Sequence, residues 1–286
     1  MMKMKNTIID QFQKEAKVIF LAEDQLLVKL RANPDEEELE EIIHELRIHM
    51  RKLISLLFFY KPLLRRKKRK ALLSSLKMLL RNFGSLRTRH MYLKSAEDFS
   101  RQLSSVEKKL FTEMNERELD KCRFLKEKNE KMDPIEFRIL YEDTLKMLLG
   151  YGKRIFKASA CELNIQNETF VVDRYQDLME RYFEMETNLD FESVKEVHDL
   201  RVLAKNIIYT LKSKVDTLGD LAVKRVEHLK KIQDVAGKIH DADVHHKILS
   251  SFETSEEEDN LRIRFQHFIM KEREESTHKL KKVIEG

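Results

Sequence analysis

One arrangement of residues occurs twice in this chain. HELRIHMRK begins at His44 and HDLRVLAKN at His198. A second matched pair follows in the same order, KMLLRNFGSLRTRHM from Lys77 and KKIQDVAGKIHDADV from Lys230, with the spacing shorter by one residue. Two segments repeated in order mark a duplicated structural unit, which limits the chain to architectures that can be built twice. The aligned positions are not only core leucines. His44 aligns with His198, Arg47 with Arg201, Arg51 with Lys205 and Gly84 with Gly237. Cations kept in register through a duplication point to a role on both copies.

The repeated unit is helical. Only 6 Gly and 3 Pro in 286 residues leave little turn chemistry, and no alternating Val/Ile/Thr run bounded by turn residues appears. With 42% hydrophobic residues the chain can bury a core. The predicted helices span 5–31, about 34–60, then 63–101 with a pause at Gly84, followed by 105–131 and 135–161. Pro34 suits the first turn of the second helix, with acids Asp35 to Glu38 at its positive dipole end. Lys61-Pro62 breaks that helix and Asp133-Pro134 separates the two long ones. After a linker at 164–167 come helices 169–187, 191–214 and 220–250, with a turn at Leu218-Gly219. A last helix starts near Thr254 or Ser255, capped there and by the acids that follow. The fold class is all-α, one duplicated domain over 1–286 whose halves are 1–163 and 168–286, each a set of about four antiparallel helices.

A net charge of +5 and a pI near 8.9 are mildly basic, less than a dedicated nucleic-acid binder shows. Cys122 and Cys161 stand alone, so neither a disulfide framework nor a structural zinc site is expected, and a reducing cytoplasm fits. The start is charged too early for a secretory signal, and the longest apolar run, Leu56 to Tyr60, is too short to span a bilayer. The expected location is the cytoplasm, with attachment to granules left open.

On a helical wheel, His44, Arg47 and Arg51 fall within roughly 60° of one another. Ile43, Leu46, Met50, Leu53 and Leu57 centre on another side. The second copy sets His198, Arg201, Lys205, Tyr209 and Lys212 opposite Val197, Leu200, Ala204, Ile207 and Leu211. Downstream, Lys77, Arg81, Gly84 and Arg87 share a face, as do Lys230, Gly237 and His240, the latter interrupted by Asp234 and Asp241. A glycine inside a helix costs about 1 kcal/mol against alanine, so two in register invite an explanation such as close approach of a helix or an anion. Cations this closely spaced repel unless an anion bridges them, and a linear polyanion suits them best. Apart from Tyr209 the stripes lack aromatic residues for base stacking, which disfavours single-stranded nucleic acid.

These residues resemble the CHAD family, the conserved histidine α-helical domain. Its pattern is a His, an Arg three residues on, further basic residues, and a later Gly followed by an Arg-Asp-x-Asp-Val-like string, all occurring twice. His44, Arg47, Arg51 and Lys52 match in the first copy; His198, Arg201, Lys205 and Tyr209 match in the second. GKIHDADV from Gly237 is similar to the later string with His240 in the Arg position, while GSLRTRHM from Gly84 keeps Arg87 and loses both acids. The resemblance implies two pseudo-symmetric four-helix bundles with a basic cleft between them that binds inorganic polyphosphate without catalysis or cofactor. A further Arg usual in the family is Ile54 in one copy and Ile208 in the other.

Two rival readings remain. A helical adaptor could bind an acidic protein or RNA. HDADVHH, from His240 to His246, with His198-Asp199, raises a metal-dependent HD-type phosphohydrolase, but no His lies between His90 and His198 to complete its ligands; His245 and His246 holding a metal nonspecifically is the simpler expectation. Finally, Arg65 to Lys70 is a run of basic residues at a helix start, either solvated or a rim that steers polyanions.

Overall fold

A computed structural model describes residues 8–32, 35–82, 84–130, 143, 144, 146, 152–159 and 167–285. The helices are α1 (Ile8–Arg31), α2 (Glu36–Phe59), α3 (Arg66–Asn82), α4 (Gly84–Ser100), α5 (Ser105–Glu130), α6 (Asn167–Thr187), α7 (Val194–Lys212), the short α8 (Val215–Leu218), α9 (Asp220–Leu249) and α10 (Glu256–Glu285). No strand forms among the described residues beyond one isolated bridge, Leu64 to Phe156. No described helix is long and apolar enough to cross a membrane. The fold is all-α.

Local chemistry sets the helix ends. Asp35 is the N-cap of α2 and accepts the Glu38 N–H at 2.9 Å, so the acids begin at the cap itself. The start of α10 is a capping box: Glu258 Oε2 accepts the Ser255 N–H at 2.9 Å. Ser104 and Glu107 do the same for α5. Gly219 ends α8 with φ 69°, a left-handed conformation that favours glycine.

One predicted helix is interrupted in its described part: Asp143 and Thr144 are helical, but the segment from Gly152 to Phe156 is not. Most of 135–161 lies outside the described residues, but Gly152–Ile155 is a 3₁₀ turn and Phe156 is extended. The reason is the segment after Pro62. It leaves the helix, so its peptide groups need other partners: the Arg65 N–H donates to Ile155 O and the Lys157 N–H to Leu63 O, both at 2.9 Å.

Two compact units can be distinguished, each drawn from three segments. The first contains residues 1–83, 132–184 and 205–228; the second contains 84–131, 185–204 and 229–286. In the first, the fully buried rings of Phe12, Tyr60 and Phe156 meet edge to face, Phe12 lying 5.2 Å from Tyr60 and 5.3 Å from Phe156. Phe170 stacks on Tyr60 at 5.7 Å. Beside them Lys214 is buried, paired with Glu15 and within 3.2 Å of the Tyr60 hydroxyl. Burial, and then the Glu15 carboxylate, hold the Tyr60 phenol well above its ordinary pKa.

The second unit packs Phe99, Phe111 and Phe265 as a triad with centroids 5.1 to 5.2 Å apart. Tyr92 joins this core and donates to Asn115 Oδ1 at 2.7 Å. His245 lies buried with its ring edge-on to Tyr92, and burial lowers its pKa against the opposing pull of Asp241.

Removing one partner of the buried pair leaves the other charge stranded. Lys214→Ala is expected to lower unfolding stability by roughly 3–5 kcal/mol, measured by urea denaturation, and replacing Glu15 and Lys214 together with apolar residues should restore much of that loss.

Candidate functional site

The apolar sides of both motif helices are buried as their periodicity requires. In α2 these are Ile43, Leu46, Met50, Leu53 and Leu57; in α7 they are Val197, Leu200, Ala204, Ile207 and Leu211. The cationic ridges are left toward solvent. His44, Lys77, Arg81, Lys212 and Lys230 are exposed, and Arg47, Arg51, Lys52, His198, Arg201, Lys205, Tyr209 and His240 are half-buried. Arg87 belongs to α4, but its side chain falls outside the described residues.

Half-burial has a cause. Arg47 Nη1 donates to the Leu80 carbonyl at 3.2 Å, in the last turn of α3. Carbonyls there lack a partner within the helix and sit at its negative dipole end, so a guanidinium suits them. In the second copy Arg201 meets α9 at Gly237: a Cβ there would lie 3.6 Å from Arg201 Nε. The close neighbour of this glycine is thus a guanidinium, not another backbone. In each copy the arginine of the first motif segment is seated on the helix carrying the second.

His198 and His240 complete the second cluster, with ring centroids 4.8 Å apart. His198 Nδ1 is buried without a hydrogen-bond partner. Burial first, and then Arg201, lower the pKa of His198, while Asp199 opposes them. His198 is therefore neutral at pH 7. In the first copy His49, which the sequence reading passed over, has its pKa lowered by burial and then by Lys52, with Glu45 opposing.

The first unit also holds the C-terminal part of the α7 stripe. Ser55 Oγ and Asn206 Oδ1 hydrogen-bond at 2.9 Å, with the hydroxyl as donor, joining α2 to α7. Arg51 lies one turn before Ser55, and Lys205 immediately precedes Asn206. The contact thus joins a helix of each copy within this unit, with a basic position of each stripe within one turn of it along the chain.

The two consecutive histidines diverge. His245 is a core residue, whereas His246 Nε2 lies 2.9 Å from Gln266 Nε2. Packing explains this: adjacent helical positions point about 100° apart. Among the described residues no group of three His, Cys, Asp or Glu side chains could hold a metal ion.

Gly237→Ala gives a direct reading of the glycine. The added methyl would stand in ordinary contact with Arg201, so thermal unfolding should show a gain near the helix-propensity value of about 1 kcal/mol. A loss of stability would mean that the seat of Arg201 tolerates no methyl group.

Comparison with known proteins supplies the remaining observations. The CHAD domain family matches residues 22–250. Among solved structures the chain is similar to PptA from Streptomyces chartreusis, with a TM-score of 0.71 and 12% identity, covering 98% of this chain and 100% of that one. No curated protein matches the sequence.

Proposed function

The chain belongs to the CHAD domain family, and from that premise we propose that it binds inorganic polyphosphate electrostatically. What carries the reading is the Ser55–Asn206 contact, where basic stripes from both copies of the motif come within a helical turn of a single point. A polymer with a negative charge on every unit can touch Arg51, Lys52 and Lys205 together, and then follow the stripes toward His44 and Lys212. Guanidinium groups fork onto phosphate oxygens while lysines act as point charges. The two copies act as one duplicated domain whose cations line a shared basic cleft. Arg47 and Arg201 have a second role in this scheme, fixing the helices that present the rest. The activity proposed is binding, with no bond broken.

Arg51→Gln combined with Lys205→Gln should weaken long-chain polyphosphate binding by about tenfold or more with helix content unchanged. Titration with circular dichroism controls would show it; unchanged affinity would remove the stripes from the site. The logarithm of the binding constant should also fall linearly with the logarithm of salt concentration, because each phosphate neutralised releases a counterion. A salt-insensitive affinity would exclude this mechanism, and stronger binding of RNA at matched phosphate and salt would favour the adaptor reading.

Protons should couple to the same event. The free protein holds His198 below its ordinary pKa of 6.5. A phosphate arriving beside it offsets Arg201 and raises that pKa, so binding takes up a proton and tightens as pH falls towards and below 6.5. His198→Gln should flatten this dependence.

A further inference from the structure

The basic run at 65–70 is more than a solvated helix start. Arg66, Arg69 and Lys70 line a cavity of about 520 Å³ together with Lys61, Lys157 and Arg174. Among the described residues its remaining lining is Pro62 and Leu64, so six cations and no carboxylate line the space. None of the stripe residues contributes to it. Lys157 arrives from far along the chain through the Leu64–Phe156 bridge, which Arg65 reinforces by donating Nε to Phe156 O at 2.7 Å. Arg174 is fixed by donating to Phe59 O at 3.0 Å and Phe58 O at 3.2 Å, and pairs with Asp177. Its side chain is only 10% exposed.

The placement is costly in the absence of a ligand. The cavity lies at the start of α3, which has no acid in its first turn. Arg66 to Arg69 crowd the positive end of the helix dipole, where cations are unfavourable and anions favourable. The first backbone N–H groups of α3, as at any helix start, lack partners within the helix. An anion would offset the dipole, the like charges and these donors together. The cavity volume lies within the range of small-ligand sites.

We propose that this pocket is a second anion site, separate from the α2 and α7 stripes, which takes a short run of linked phosphates from a free oligophosphate. It rests on its own geometry and would stand if the stripes bound something else.

Calorimetric titration of the full chain with sodium tripolyphosphate tests this, using Arg66→Gln with Arg69→Gln as the pocket variant and Arg51→Gln with Lys205→Gln as the stripe variant. The pocket variant should lose about tenfold or more in tripolyphosphate affinity, while the stripe variant keeps it within about threefold. Long-chain polyphosphate should depend on the stripe variant, so failure of one reading is distinguishable from failure of the other. Without ligand, the pocket variant should melt at a higher temperature than the parent, since cations have been removed from a positive helix end. The proposal would be overturned by unchanged tripolyphosphate affinity in the pocket variant, equal loss in both variants, or a lower melting temperature. Loss of RNA binding with tripolyphosphate binding intact would also overturn it, assigning the patch to a nucleic acid.

Discussion

Repulsion between like charges is the constraint around which this protein is arranged. Two unit charges 4 Å apart interact by about 4 kcal/mol at the effective dielectric of a protein surface. Cations are nevertheless repeated along one side of α2 and one side of α7. They are tolerated because each helix buries an apolar face on its other side, so the ridge position is set by hydrophobic burial and not by charge. Arg47 shows how part of the cost is met locally, by facing the carbonyl end of α3.

The same logic separates two kinds of basic residue. Arg47 and Arg201 are half-buried and bear on neighbouring helices, which makes them positioning groups as well as sources of charge. Lys77, Arg81, Lys212 and Lys230 stand in solvent, where screening weakens a single contact but leaves the long-range field. His198 belongs to neither group. Its pKa is lowered by burial and then by Arg201, so the neutral form is favoured.

Much of the fold was legible because helices announce themselves locally. The apolar positions of α2 and α7 recur at 3.6-residue spacing, and the predicted buried residues are the ones found buried. Ser255 before an acidic run was readable as a cap. The stretch at 152–157 was not, because its 3₁₀ turn and bridge answer to the unpaired backbone of residues 63–65, far away in sequence. The burial of His245 was not legible for a similar reason: nothing beside it in sequence reveals that Tyr92 covers it.

By itself the sequence determined the repeated motif, the helices and which side of each would carry charge, since all three follow from spacing along the chain. Only the tertiary structure decided what those charges meet. It set Arg201 on Gly237, joined α2 to α7 through Ser55 and Asn206, and brought Lys157 and Arg174 to the start of α3. Periodicity fixes the direction of a side chain about its own helix axis, whereas its neighbours across space are fixed by packing between segments that share no local pattern.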